Sequence, residues 1–308
     1  MKEKIITIHT TSFSRGNQPP LRMLEEAGHM VLLNPFGRVM TPDEIIEFAK
    51  HSVGVIAGTE KYDRRVLERL SNLKVISRCG TGMDNIDVIA AENMGIRVFN
   101  TPDAPTVAVA ELTIGLMIGL LRKLTRMDIH MRRGEWHKLM GNLLSRRKIG
   151  IIGFGRIGQK VAEFLLAFDA EPAYFDVEEK TCLLNCERKN LEELLEWAEI
   201  VTLHLSPSGT FLPLIGENEI RCMKEGGMLI NVSRGGVVDE DALFRALKEG
   251  RLAGAALDVF IQEPYRGPLT ELDNVILTPH IGSYAAETRL EMETQAVNNL
   301  LKELEVTI

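Results

Sequence analysis

Cysteine is scarce in this 308-residue sequence, and the four present, Cys79, Cys182, Cys186 and Cys222, are scattered. Cys182 and Cys186 are spaced C-x-x-x-C with no matching His/Cys pair nearby, which speaks against a zinc site. The plain expectation is reduced thiols in a cytoplasmic protein that needs no metal. An excess of basic charge is also missing. The net charge of −7 argues against nucleic acid as the main partner, while leaving room for a local basic patch around an anionic substrate. No signal peptide is visible, since Met1-Lys2-Glu3-Lys4 leads only into a short β-like run. Nor is there a membrane-length hydrophobic run. The nearest approach is 107–121, with Gly115 and Gly119 at GxxxG spacing, but it is too short and carries Glu111. A long buried or interface helix is expected there, and no membrane as partner. Tandem repeats and low-complexity segments are absent. What is left is an ordinary soluble composition, 45% hydrophobic and 26% charged, on a chain long enough for two domains and a substantial core.

The richest stretch runs from Lys148 to Asp176. Lys148-Ile149-Gly150-Ile151-Ile152 reads as a buried parallel strand. The G-x-G-x-x-G turn Gly153-Phe154-Gly155-Arg156-Ile157-Gly158 comes next, then a helix over 159–168 with Val161, Ala162, Leu165 and Leu166 on one face. A second strand over 172–175 ends at Asp176, 18 positions past Gly158. Gly153 permits the tight turn, Gly155 lets backbone approach a pyrophosphate, and Gly158 lets helix and strand pack closely. The helix N-terminus offers unpaired N–H groups and the positive end of its dipole to that pyrophosphate. Asp176 would accept hydrogen bonds from the adenosine ribose and repel a 2′-phosphate, which favours NAD over NADP.

Around this unit, strands and helices alternate. Strands are expected at 5–8, 31–33, 53–57, 74–77 and 96–99. Thr41-Pro42-Asp43-Glu44 starts a helix with a capping box, and Cys79-Gly80-Thr81-Gly82 lies in a glycine loop. Two prolines at 102 and 105 mark a hinge, and one long helix is expected over 106–132, ended by Gly134. Further strands are expected at 200–205, 227–231, 253–257 and 274–277, with an Asp239-capped helix after the 227–231 strand and a last helix at about 284–304. The alternation implies doubly wound parallel sheets. It also sets Asp176, His204, Arg234, Asp258 and His280 at strand C-terminal ends, the edge where open parallel sheets bind ligands.

The glycine turn, the block from Asn231 through Val232, Ser233 and Arg234 to Glu240, the Ala256-Leu257-Asp258-Val259-Phe260 run with Glu263-Pro264, and Thr278-Pro279-His280-Ile281-Gly282 together resemble the D-isomer-specific 2-hydroxyacid dehydrogenases. The resemblance covers about 75–288 and is greatest to the D-3-phosphoglycerate dehydrogenases. It implies an α/β fold of two Rossmann-like doubly wound domains. The NAD domain, 101–283, is inserted in a flavodoxin-like substrate domain made of 1–100 and 284–308, with a cleft between them. It implies hydride transfer between NAD(H) and a small 2-hydroxy or 2-oxo acid. His280 is then the acid/base, Glu263 its partner, and Arg234 the carboxylate-binding residue. Gly153, Gly155, Arg156, Ile157, Gly158, Asp176, His204, Val232, Ser233, Arg234, Asp258, His280, Gly282 and Thr81 would line the cofactor. Cys79, Gly80, Thr81 and Gly82, with Arg234, would hold the substrate. A homodimer through helix 106–132 is implied as well.

The chemistry suits those residue types. Histidine can take or return the hydroxyl proton as hydride leaves C2, and Glu263 beside it would favour imidazolium. An arginine grips a carboxylate bidentately. Two departures from the family stand out. His204-Leu205-Ser206-Pro207 shifts the usual proline by one, and Ala57-Gly58-Thr59-Glu60-Lys61 lacks the arginine that phosphoglycerate dehydrogenases place after the third strand. D-3-phosphoglycerate, as in serine biosynthesis, is nonetheless the leading substrate expected. The alternatives are reduction of glyoxylate, hydroxypyruvate or another 2-oxo acid, and an NAD-sensing, corepressor-like binding protein. The last is disfavoured because Arg234, Glu263 and His280 are all present.

Overall fold

A computed structural model describes residues 4–14, 19–181, 185–205 and 213–306. The C-x-x-x-C reading at Cys182 and the shifted proline after Ser206 lie outside these residues. The chain divides into two compact units, Met1–Pro105 with Ser283–Ile308, and Thr106–Gly282.

In the first unit a parallel five-stranded sheet has β1 (Lys4–Ile8), β2 (His29–Leu33), β3 (Gly54–Ala57), β4 (Val75–Arg78) and β5 (Arg97–Phe99) in the order β2-β1-β3-β4-β5. β3 is buried along its whole length, as expected for an inner strand covered on both faces. One face packs Ile45 and Ala49 of α2 (Pro42–Ala49), Val66 and Leu67 of α3 (Arg64–Arg69) and Ala90 and Ala91 of α4 (Val88–Asn93). The other packs Leu24 of α1 (Pro19–Glu26) and Met292, Val297 and Leu300 of α11 (Ala286–Val306). The capping box at Thr41 forms as its residues imply: the Glu44 N–H donates to Thr41, and the Glu44 carboxylate accepts from the Thr41 N–H at 2.8 Å.

The second unit is a parallel seven-stranded sheet in the order β12-β11-β10-β9-β6-β7-β8. Its strands are β6 (Lys148–Ile152), β7 (Glu171–Phe175), β8 (Glu187–Arg188), β9 (Ile200–Leu203), β10 (Gly227–Asn231), β11 (Leu252–Leu257) and β12 (Val275–Leu277). α5 (Pro105–Arg122) and α7 (Arg156–Ala167) cover one face. α8 (Leu191–Trp197), α9 (Glu217–Cys222) and α10 (Glu240–Lys248) cover the other. α5 is apolar and long enough to cross a membrane by length and composition, yet 61% of its most apolar window is buried in the protein. Met117 and Ala110 are fully buried there.

The single helix expected over 106–132 is corrected to two. Lys123 takes a left-handed conformation (φ 53°) and separates α5 from α6 (Leu124–Arg132). Nothing in the sequence announces this, because a left-handed break is ordinarily signalled by glycine or asparagine. β8, a two-residue edge strand paired with β7, was not anticipated either.

Candidate functional site

The glycine turn joins β6 to α7 at the point where the strand order of the second sheet reverses, with β7 on one side of β6 and β9 on the other. Gly153 has φ +90°, and a Cβ there would stand 2.6 Å from the His204 carbonyl oxygen. A Cβ on Gly158 would stand 2.2 Å from the Gly153 carbonyl oxygen, so only glycine lets α7 start this close to β6. Gly155 differs: among the described residues, no atom lies within 4 Å of the place a Cβ would take. It is the N-cap of the twelve-residue helix α7 and supplies no side-chain cap. Arg156 is exposed at the first helical position, and Ile157 packs on the core beneath.

Asp176, just past β7, points back at this turn. One carboxylate oxygen accepts from the Phe154 N–H at 2.8 Å, the other from the Glu178 N–H at 3.1 Å, and Lys180 lies 3.8 Å away. His204 comes directly after β9. Burial lowers its pKa to about 3, so the ring is neutral. Its Nε2 meets Thr202 Oγ1 at 2.9 Å, whereas Nδ1 is buried and has no hydrogen-bond partner among the described residues. A glycine cradle at a helix N-terminus, an acidic strand end and a buried nitrogen without a described partner fit a dinucleotide.

Beyond β10, the Asn231 side chain shapes the next loop. Its oxygen accepts from the Ser233 N–H at 3.0 Å and the Ser233 hydroxyl at 2.8 Å, and its amide donates to the Arg234 carbonyl at 2.9 Å. Val232 and Ser233 are buried beneath, and the Arg234 guanidinium donates to the Ser233 carbonyl at 2.7 Å. Gly235 allows the loop to lie against the backbone of Phe260, whose oxygen would stand 1.9 Å from a Cβ. Asn231 was in the matched block without a role. The available signal was an asparagine two residues before a serine at a strand end, the pattern of an Asx turn.

His280 lies past β12 with φ 54°, unusual for a residue with a side chain. Asp258, past β11 and 1% exposed, holds that conformation. Its carboxylate accepts from the Thr278 hydroxyl at 2.6 Å and from the Ile281 and Gly282 N–H groups, both at 2.8 Å. The Asp258 carbonyl accepts from the His280 N–H at 2.9 Å. Glu263, whose bond to Pro264 is cis, accepts from the Phe260 N–H at 3.1 Å and meets His280 Nδ1 at 2.9 Å. Burial alone would raise the Glu263 pKa. The hydrogen bond and charge of His280, the Phe260 N–H and the Arg234 charge outweigh it and hold the carboxyl below its usual range. With Nδ1 bonded to a carboxylate, the ring proton is assigned to Nδ1 and Nε2 is left for exchange.

The glycine loop of the first unit is built of different parts. The Cys79 N–H donates to the Ala57 carbonyl at 2.9 Å, and the Gly80 N–H to Thr101 Oγ1 at 2.8 Å. Burial pushes the Cys79 thiol up to about 11, so it stays protonated. The Thr81 carbonyl accepts from Asn100 at 2.7 Å, and Gly82 is the next residue of the turn. After β3, Glu60 is 1% exposed and folds back to accept from the Gly58 N–H at 2.7 Å.

This architecture, with its glycine cradle on the second sheet, is that of an NAD-binding oxidoreductase. The family model for the NAD binding domain of D-isomer specific 2-hydroxyacid dehydrogenases matches residues 114–282. A glyoxylate reductase of Thermofilum pendens is 39% identical over 297 residues, covering 92% of this chain and 88% of its own length. A D-3-phosphoglycerate dehydrogenase of Methanocaldococcus jannaschii is 38% identical over 94% of this chain, which spans 56% of that protein. A crystal structure of a Thermus thermophilus protein superposes with a TM-score of 0.91 at 35% identity, covering 98% of this chain and 97% of its own. The chain belongs to the D-isomer-specific 2-hydroxyacid dehydrogenases, and its cofactor is NAD.

Proposed function

We propose that the protein reduces a small, unphosphorylated 2-oxo acid of the glyoxylate or hydroxypyruvate kind to its D-2-hydroxy acid. The observation that carries the substrate assignment is Glu60. In the place where an arginine would be expected to meet a phosphate, the chain holds a buried carboxyl whose burial raises its pKa, opposed by backbone hydrogen bonds and the charge of Arg78. A substrate phosphate would compete with that carboxyl for the same guanidinium. The Thermofilum pendens glyoxylate reductase, matched over most of its length, supports the same reading. The D-3-phosphoglycerate expectation becomes the second reading, supported by the Methanocaldococcus jannaschii relative.

Bound NADH would supply the hydride, with Gly153, Gly155 and Gly158 leaving room for its pyrophosphate and Asp176 placed to accept from its ribose. Arg234, set by Asn231, binds the substrate carboxylate and orients the carbonyl. His280 Nε2 delivers the proton to the forming alkoxide while Nδ1 stays on Glu263. Asp258 positions His280 through the backbone.

Steady-state oxidation of NADH, measured with glyoxylate, hydroxypyruvate and 3-phosphohydroxypyruvate, tests the substrate assignment. The unphosphorylated acids should give the higher kcat/KM, and a clear preference for the phosphorylated acid would overturn it.

The chain also forms a homodimer in this reading, through the stretch 106–132, where Leu124, Ile129 and Met131 of α6 are exposed. Sedimentation at micromolar concentration should give a dimer; a monomer would remove this part.

A further inference from the structure

Away from the dinucleotide cradle, α6 ends in a turn that gathers two histidines and a glutamate. Gly134, with φ 77°, is the left-handed residue past the helix. The Glu135 N–H donates to the His130 carbonyl at 3.0 Å and the Gly134 N–H to the Met131 carbonyl at 3.0 Å. This is a Schellman ending, which brings the side chains of its first and last residues together. That contact is ordinarily between two apolar groups. Here it is between His130 and Glu135, and the backbone fixes their approach.

His130 Nδ1 lies 2.5 Å from Glu135 Oε2, and His137 Nε2 lies 3.9 Å from the same oxygen. The two imidazole rings meet edge to face, with centroids 5.3 Å apart and planes at 85°. One ligand atom from each of the three residues lies within 4.8 Å of the others. His130 Nδ1 is buried and has no hydrogen bond, despite its closeness to the carboxylate. His130 and Glu135 already meet as an ion pair, and His137 stands at its edge. In the single chain the His130 side chain is 24% exposed and that of His137 62%.

We propose that His130, Glu135 and His137 form a binding site for a first-row divalent cation of the Zn2+ type. Two imidazoles and one carboxylate are a donor set that Zn2+ takes, in a tetrahedral arrangement completed by water. Ligand bonds of about 2.0–2.2 Å put tetrahedral ligand atoms roughly 3.3–3.6 Å apart, so small side-chain rotations close the gap from the observed spacing. The nearby Arg133 and Lys138 carry like charge and oppose the ion, whereas Arg132 is paired with Asp128 at 2.7 Å. Bound metal would tie the segment after Gly134 to the end of α6. The site takes no part in the hydride transfer and rests on no reading of it.

The test is calorimetric titration of the chelator-stripped, full-length protein with Zn2+, and with Co2+ for its visible spectrum. Wild type should bind one ion per chain at this site, with an oxygen- and nitrogen-ligand Co2+ spectrum and no thiolate charge-transfer band. His130→Ala/His137→Ala should lose affinity by at least about a hundredfold, and Glu135→Gln by about tenfold. Far-ultraviolet circular dichroism and NADH binding of the variants should match wild type. Equal affinity in wild type and the double variant, no saturable binding to wild type, or a thiolate spectrum would each overturn the proposal. If the double variant fails to fold, His137→Gln, at an exposed position past the helix, gives the same discrimination.

Discussion

The two sheets share a doubly wound plan and differ in what they build at its reversal point. In the first unit β1 runs between β2 and β3; in the second β6 runs between β7 and β9. Beside the first reversal, a Cβ on Gly58 would meet Glu60 Oε2 at 3.0 Å and the Thr10 Cα at 3.2 Å, so the space is filled by the protein itself. Beside the second, Gly155 faces nothing within 4 Å among the described residues. The strand-end histidines differ in the same sense. His9, after β1, meets Tyr62 OH at 2.6 Å through Nδ1 and Thr7 Oγ1 at 3.0 Å through Nε2. His204, after β9, has Nδ1 unpartnered. At these two strand-end histidines, then, one topology carries a ring satisfied on both nitrogens and a ring with one nitrogen unmet among the described residues. The connecting loops, and not the strand order, make a binding edge.

The strongest expected effect lies in the second unit. His280→Ala should lower kcat by about 10²–10⁴-fold while NADH affinity stays unchanged, because the imidazole works on the substrate proton. Near-normal turnover would remove His280 from the chemistry. Arg234→Ala should lower kcat/KM by roughly 10- to 100-fold, the scale of a lost hydrogen bond to a charged group, with a raised KM and a reduced kcat. A fall in kcat alone would argue against carboxylate binding.

Asp176→Ala should weaken NADH and narrow its advantage over NADPH, measured as a ratio of dissociation constants. A wild type that prefers NADPH would break the ribose assignment. Common to both units, and independent of the catalytic site, is a dependence of stability on pH. Burial lowers the pKa of both His9 and His204 to about 3, against an ordinary value near 6.5 in the unfolded chain. The folded state then binds fewer protons than the unfolded one between those values. Stability is full above about pH 6.5 and is lost as pH falls towards 3, by at most about 1.4 kcal/mol per pH unit for each histidine. Urea unfolding across that range should show the loss, and His9→Gln should reduce its slope by about one proton. An unchanged slope would mean that His9 is not buried neutral.

Much of this was legible in residue order. The βα rhythm announced both parallel sheets, since strands buried on two faces read as short apolar runs. The cradle was legible because Gly153, Gly155 and Gly158 have separate steric tasks within the short stretch that joins β6 to α7. The break at Lys123 was not, because a lysine in the left-handed region leaves no mark on helical periodicity. Glu60 was visible as a missing arginine, but its burial and its bond to Gly58 depend on how β3 ends. Likewise Gly134 was visible as a helix stop. That the stop sets His130 against Glu135 emerges only from the hydrogen bonds of the turn.

Fluorescence titration of NADH into three proteins tests the contrast between the edges most directly. In wild type the cradle of the second unit should bind NADH at one site per chain. Gly158→Ala, whose Cβ would stand 2.2 Å from the Gly153 carbonyl oxygen, forces backbone apart and should cost about 1–3 kcal/mol, or roughly 10- to 100-fold in affinity. Gly58→Ala, at the filled edge of the first unit, meets mainly the movable end of Glu60 and should leave NADH affinity at the wild-type value. Loss of NADH binding in Gly58→Ala with full binding in Gly158→Ala would contradict the account.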